Sequence, residues 1–191
     1  MTRTVLITGG IGSGKSEVSA ILRSLGRPVY DSDSRTKELY DSVPGLLESV
    51  EEALGCGPLR TSDGALDRRR LAGIVFSDAR KMEALQRTVY PVVARDFVRW
   101  RSAFDGTVFL ESAVAFAHPE FDGLYDAVLL VTADEEKRLE RVLARDKGAV
   151  REEVLARMRS QSLPSGPDYV MENNGGLRSL KKKTKDFLDR I

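Results

Sequence analysis

The sequence predicts an α/β protein built on a doubly wound parallel sheet, and three observations predict it. A short β-branched run ends in a glycine loop, an amphipathic helical stripe follows that loop at once, and later apolar runs alternate with helical periodicity. Thr4-Val5-Leu6-Ile7-Thr8 is the first run, continuous and apolar as a buried parallel strand should be. After the loop, Val18, Ile21, Leu22 and Leu25 recur at i, i+3, i+4 and i+7, and Gly26 stands where a helix C-terminal cap belongs. Pro28-Val29-Tyr30 is a brief second strand running into Asp31-Ser32-Asp33. From about Ser34 to Phe104 the pattern is helical, with Leu46, Leu47 and Val50 on one stretch and Met82, Leu85 and Val89 on another. Pro91 is expected to open a new helix carrying Val93, Phe97 and Trp100. Gly55-Cys56-Gly57-Pro58 and Ser62-Asp63-Gly64 mark turns within this stretch. Strand signals resume at Thr107-Val108-Phe109-Leu110, which ends in Glu111, and at Ala127-Val128-Leu129-Leu130-Val131. A fifth short run, Tyr169-Val170-Met171, precedes Asn173-Asn174-Gly175-Gly176 and a closing helix.

Composition bounds the reading. The 191 residues suffice for one α/β domain, or for one core with smaller inserted subdomains. Hydrophobic residues at 41% and charged residues at 31% are those of an ordinary globular protein rather than a disordered one. Thirty Lys and Arg against 29 Asp and Glu leave a formal charge of +1, so no whole-molecule field draws the chain to nucleic acid or to a membrane. The basic run Lys181-Lys182-Lys183 with Lys185 reads as a solvated helix face. One cysteine, Cys56, excludes an internal disulfide framework and fits a reducing compartment, with the cytoplasm as the expected location. The apolar run near the start is too short for a signal peptide, and no 18-residue apolar stretch is present.

Chemistry concentrates at the expected strand ends, where doubly wound sheets bind ligands. Gly9-Gly10-Ile11-Gly12-Ser13-Gly14-Lys15-Ser16 matches G-x-x-x-x-G-K-[ST] in full, between a strand and a helix. Its glycines let backbone N–H groups turn inward to phosphate oxygens, and the helix N-terminus adds a positive dipole end. Lys15 is expected on the β- and γ-phosphates and the Ser16 hydroxyl on Mg²⁺, which points to an ATP-dependent phosphotransferase of the P-loop class, although a P-loop alone does not separate a kinase from a GTPase or a motor ATPase. Asp31 and Asp33 could take a proton from an acceptor hydroxyl or hold water on the metal; helix N-capping, for which Asp33 is well placed, explains the same residues. Glu111 closes a buried strand, where an acid can orient magnesium's water ligands. Arg138, Arg141 and Arg145 share one helix face and could stabilise a transferring phosphoryl group, although Glu135, Glu136 and Glu140 interleave with them as potential ion-pair partners. His118, the only histidine, reads as a loop residue, and Phe97 with Trp100 as core.

On these residues the sequence resembles the dephospho-CoA kinase family, which carries out the last step of coenzyme A biosynthesis. The likeness runs nearly end to end: Thr8 to Ser16, then Val29-Tyr30-Asp31-Ser32-Asp33, then Asp63-Gly64-Ala65-Leu66-Asp67-Arg68 with Val75-Phe76. It continues through Arg141-Val142-Leu143-Ala144-Arg145-Asp146 and Asp168-Tyr169-Val170-Met171-Glu172-Asn173-Asn174-Gly175. The resemblance implies a P-loop kinase fold: a five-stranded parallel sheet flanked by helices, with a core of about 1–33, 105–135 and 166–191. It also implies a helical substrate insertion of about 34–104 and a small helical lid of about 136–165. It further implies transfer of the ATP γ-phosphoryl group to the ribose 3′-hydroxyl of dephospho-CoA. Lys15, Asp33 as base and Arg141 over the phosphates would be the catalytic residues. Gly10, Ile11, Gly12, Ser13, Gly14, Lys15, Ser16 and Glu17, with Arg145 and Asn174, would bind the nucleotide. Ser16 would meet Mg²⁺ directly, and Asp31 and Glu111 through water.

Two departures concern the acceptor. Tyr90-Pro91 stands where the family usually has His-Pro, and Ala113-Val114-Ala115-Phe116-Ala117 lacks the family's glutamate at Ala117, removing a charge near the expected substrate cleft. A small kinase for another metabolite or nucleoside is the competing enzyme reading, and a nucleotide-binding regulator the competing non-enzyme one. Against a guanine-specific switch, Asn173-Asn174-Gly175-Gly176 does not supply an Asn-Lys-x-Asp segment.

Overall fold

The computed structural model describes residues 2–62 and 64–191, so Asp63 of the expected Ser62-Asp63-Gly64 turn lies outside the described residues. Among the described residues five strands form one sheet in the order β2-β3-β1-β4-β5. They are β1 (Arg3–Thr8), β2 (Val29–Asp31), β3 (Thr107–Glu111), β4 (Ala127–Thr132) and β5 (Tyr169–Glu172). β1 pairs parallel with β3 and β4, and β4 parallel with β5. Because Ile7 is in register with Glu111, the carboxyl ends of β1 and β3 lie side by side. The helices along the chain are α1 (Lys15–Ser24), α2 (Ser32–Ser42), α3 (Leu46–Leu54), α4 (Arg68–Phe76) and α5 (Ala79–Arg101), then α6 (Glu135–Arg145), α7 (Arg151–Arg159) and α8 (Leu177–Leu188). This is the α/β architecture expected from the alternating pattern.

The chain divides into two units: Met1–Tyr30 with Arg101–Ile191, and Asp31–Trp100. In the first, Val5, Ile7, Phe109, Leu129 and Val131 of the central strands pack on Val18, Ile21 and Leu22 of α1 and on Leu180 and Phe187 of α8. Fully burying one such aliphatic or aromatic side chain contributes about 1.5–3 kcal/mol, so this layer anchors the sheet under the phosphate loop. Gly26 takes a left-handed φ of 74° just past α1, where Arg27 N–H reaches the Leu22 carbonyl at 3.0 Å and stops the helix as the sequence indicated.

The second unit is helical; it corrects one expectation and decides one alternative. Pro91 does not open a helix: α5 runs unbroken from Ala79 to Arg101 with Pro91 inside it. The apolar positions Leu85, Val89, Val93 and Phe97 recur every four residues straight across the proline, and the last three are buried. Their burial outweighs an interior proline's cost of about 3 kcal/mol. The N-cap of α2 is Asp31, not Asp33. Its Oδ1 accepts from Asp33 N–H and Ser34 N–H, both at 3.1 Å, and its Oδ2 accepts from the Ser34 hydroxyl at 2.8 Å. Further along α2, Arg35 forks onto Asp96 of α5, with Nε and Nη2 donating at 3.0 and 2.9 Å. The capping role has a measurable cost of removal: Asp31→Ala should destabilise the protein by about 0.5–2 kcal/mol in a denaturant titration, whereas Asp33→Ala should leave the midpoint nearly unchanged.

Candidate active site

The loop between β1 and α1 lines a cavity of about 520 Å³ in the first unit, together with Arg141 and Arg145 of α6, Asn173, and Leu177 and Leu180 of α8. Within the loop, Ser13 N–H closes a turn onto the Gly10 carbonyl at 3.0 Å, and Glu17 and Val18 N–H return to the Gly14 carbonyl. The N–H groups of Gly12, Gly14, Lys15 and Ser16 are engaged by no other group among the described residues. Unpaired amides at the start of a helix form an anion site, since they add directed donors to the positive end of the helix dipole. Two glycines are needed here for space as well as for their left-handed angles of 76° and 94°. A Cβ on Gly12 would run into the backbone of Arg138, and one on Gly14 into the Asn173 amide.

Lys15, the first residue of α1, faces the same cavity and forms no ion pair among the described residues. Beside it, Ser16 Oγ donates to Glu111 Oε1 at 2.6 Å. Glu111 is buried at 4% exposure, and its Oε2 has no partner. A buried carboxylate oxygen without a donor is costly, and it marks where a hydrated cation would be welcome. Ser16 and Glu111 therefore fit a magnesium ion carried on nucleotide phosphates. No group of three or more His, Cys, Asp or Glu is placed to hold a metal by itself among the described residues.

The three arginines do lie along α6, and none forms a salt bridge with Glu135, Glu136 or Glu140 among the described residues, although the Glu135 charge acts on Arg138; Glu136 pairs instead with Arg151. Each does something different. Arg141 donates from Nη2 to the Asn173 carbonyl at 2.7 Å and from Nη1 to the Gly12 and Ser13 carbonyls at 3.2 and 3.4 Å, so it bridges the phosphate loop and the end of β5. Arg145 grips Asp146, whose hydrogen bond raises the arginine's pKa while lowering that of Asp146. Arg138 donates from Nε to the Ile11 carbonyl at 2.9 Å, and burial pulls its pKa down.

Of the remaining expected site residues, Glu17 lines the cavity. Asn174 is turned elsewhere: its Oδ1 accepts from Asp134 N–H and its Nδ2 donates to the Asp134 carboxylate, both at 2.8 Å. The residue before it, Asn173, is the one at the cavity, 6% exposed and donating to the Ser13 carbonyl at 2.9 Å. Sequence reasoning passed over Asn173 because two adjacent asparagines in a turn give no sign of which side faces the loop. In the helical unit, Asp31 spends its carboxylate on the α2 cap, while the exposed Asp33 carboxylate accepts no hydrogen bond among the described residues. Ala117 ends a short 3₁₀ turn, Ala115–Ala117, and is exposed. Phe97 is fully buried, as expected of a core residue, and stacks at 6.1 Å on Trp100, which is only half-buried.

The sequence pattern of the dephospho-CoA kinase family matches residues 3–179. A dephospho-CoA kinase of Porphyromonas gingivalis is 41% identical over 175 residues, covering 89% of this chain and 85% of the relative. A crystal structure from Thermus thermophilus superposes with a TM-score of 0.78 at 38% identity, covering 100% of this chain and 98% of that one. The structure of a Campylobacter jejuni dephospho-CoA kinase has a TM-score of 0.68 at 20% identity, covering 99% and 96%, a likeness that speaks for the fold.

Proposed function

The chain belongs to the dephospho-CoA kinase family, and from that premise we infer that it transfers the γ-phosphoryl group of ATP to the ribose 3′-hydroxyl of dephospho-CoA, giving coenzyme A and ADP. The observation that carries the phosphotransfer chemistry is the set of unpaired amides at Gly12, Gly14, Lys15 and Ser16, with the Lys15 ammonium beside them on one cavity. The acceptor assignment is supported by family membership.

Phosphoryl transfer needs little covalent help from a protein, so position and charge supply most of the catalysis. The loop amides hold the β-phosphate region, and Lys15 meets the charge of the β- and γ-phosphates. Magnesium, when bound, would neutralise phosphate charge. Ser16 Oγ would be its direct protein ligand, and Glu111 would order its waters through the free Oε2. Arg141 stands next to the loop carbonyls and answers negative charge that grows on the transferring group. Leu177 and Leu180 offer the cavity an apolar wall suited to the flat face of a base. Asp33 receives the acceptor proton. Helices α6 and α7 serve as the lid and the Asp31–Trp100 unit as the acceptor-binding part. Among the described residues no helix is long and apolar enough to cross a membrane. Because it is a step of coenzyme A biosynthesis, we place the reaction in the cytoplasm, with a small-molecule acceptor as the partner.

A coupled assay of ADP release with MgATP tests this directly. ADP should appear only when dephospho-CoA is added. Steady release without acceptor would favour a nucleotide-hydrolysing regulator, and release with another hydroxyl metabolite but not with dephospho-CoA would overturn the acceptor.

Arg141→Ala should lower the turnover number by about 10²-fold, as loss of one preorganised donor to developing charge does, with a smaller effect on ATP affinity. Arg141→Lys should recover little, because one ammonium cannot span the Asn173 and Gly12 carbonyls as the planar guanidinium does. Kinetics beside a melting curve make the check. A mutant with turnover within twofold of the parent would return Arg141 to a purely structural role.

A further inference from the structure

The glycine-loop motif constrains Gly9, Gly14, Lys15 and Ser16 and leaves position 11 free, yet Ile11 is firmly held. Its N–H donates to Gln161 Oε1 at 2.6 Å, and its carbonyl accepts from Arg138 Nε at 2.9 Å. Its side chain packs against the apolar cluster of Leu139, Val142, Val154 and Met158, contributed by α6 and α7. Both hydrogen-bonding groups and the side chain of one loop residue are thus taken from outside the loop. The neighbours are fitted to the same surface: a Cβ on Gly10 would collide with the Arg138 guanidinium, and one on Gly12 with the Arg138 backbone.

A loop with glycine at positions 9, 10, 12 and 14 has much backbone freedom to lose when it closes on an anion. Its free amides bind phosphate well only if that freedom is lost beforehand, which is the usual route by which preorganisation raises affinity. An N–H bonded to a side chain 150 residues away is an external brace of this kind. Arg138 contributes in the same sense, spending a partly buried guanidinium on a backbone carbonyl.

We propose that Gln161 is a positioning residue for the nucleotide: by holding the Ile11 peptide against α6, it fixes the tip of the phosphate loop so that the Gly12, Gly14, Lys15 and Ser16 amides meet phosphate already oriented. Gln161 itself touches no reacting atom in this scheme. The proposal rests on reading the cavity as a nucleotide site and is independent of which acceptor is used.

The test is calorimetric binding of MgADP, without acceptor, to the full chain carrying Gln161→Met, which keeps side-chain length and removes the amide acceptor. Gln161→Asn, polar but one methylene too short to reach Ile11, is the companion variant and decides the question should the first not fold. Both should weaken ADP binding about tenfold. In steady state KM for ATP should rise similarly, with kcat within about threefold of the parent and KM for the acceptor unchanged. A brace that only supports the fold would move the melting temperature and leave this split untouched. ADP affinity reduced fivefold or more supports the proposal, and a smaller change overturns it whatever the melting curve does. A parent protein that binds ADP but does not phosphorylate dephospho-CoA sinks only the acceptor assignment. One that does not bind ADP removes the nucleotide site and this proposal with it.

Discussion

Replacing Lys15 with alanine should abolish phosphoryl transfer while leaving the fold intact. The lysine starts α1, outside the buried stripe of Val18, Ile21 and Leu22, and no acidic partner fixes its ammonium among the described residues. Its removal therefore takes nothing from the core and leaves no buried charge unpaired, so stability should stay within about 0.5 kcal/mol. The same removal takes the uncommitted cation from a cavity whose other positive groups are backbone amides and the already engaged guanidiniums of Arg141 and Arg145. A preorganised donor to transition-state charge is worth about 10²–10³ in turnover, and a full positive charge in a partly enclosed cleft should lie at or above the top of that range. Lys15→Arg should not rescue, because a planar guanidinium cannot replace a compact ammonium at the start of a tight helix turn. Turnover measured beside a denaturant titration decides the matter, and an unchanged turnover number would contradict the phosphate-site assignment as a whole.

What the sequence showed, and what it hid, follows from how local each signal is. β1, the loop and α1 were readable because one contiguous stretch carries strand pattern, motif, helical stripe and the Gly26 stop. The Glu111 position was readable because a buried strand ending in an acid is rare enough to notice; its bond to Ser16, 95 residues away, follows only from the β1–β3 register. Pro91 misled because a local breaker was weighed against nothing, whereas in the folded chain Val89, Val93 and Phe97 bury one continuous face across it. Nothing local decides whether Asp31 or Asp33 caps α2, because β2 has only three residues and gives no fixed point from which to count. Gln161 left no local trace at all. It sits in a polar stretch after α7, and its partner is a loop amide at the other end of the chain.

The second large effect is expected at Asp33, and the cap at Asp31 sharpens it. With Asp31 closing the first turn of α2, the Asp33 carboxylate is exposed, and no hydrogen bond to it among the described residues gives it a structural task. An Asp33→Asn change keeps side-chain shape and polarity and removes the proton acceptor, so the melting curve should barely move. General-base contributions are about 10²- to 10⁴-fold. The turnover number should accordingly fall at least about a hundredfold, with ATP affinity nearly unaltered, because the loss is confined to the step in which the acceptor hydroxyl gives up its proton. Asp31→Asn is the matched control. Asparagine caps a helix about as well as aspartate, so stability should hold, and activity should survive unless this carboxylate also orders water on the metal. The pair of variants, measured for turnover, ATP affinity and stability, separates the alternatives. Loss of turnover in Asp33→Asn alone identifies the base. Loss in Asp31→Asn alone moves the role to the capping residue, whose carboxylate would then be serving two purposes. Full activity in Asp33→Asn sinks the assignment of Asp33 and leaves proton transfer to the phosphoryl group itself or to solvent.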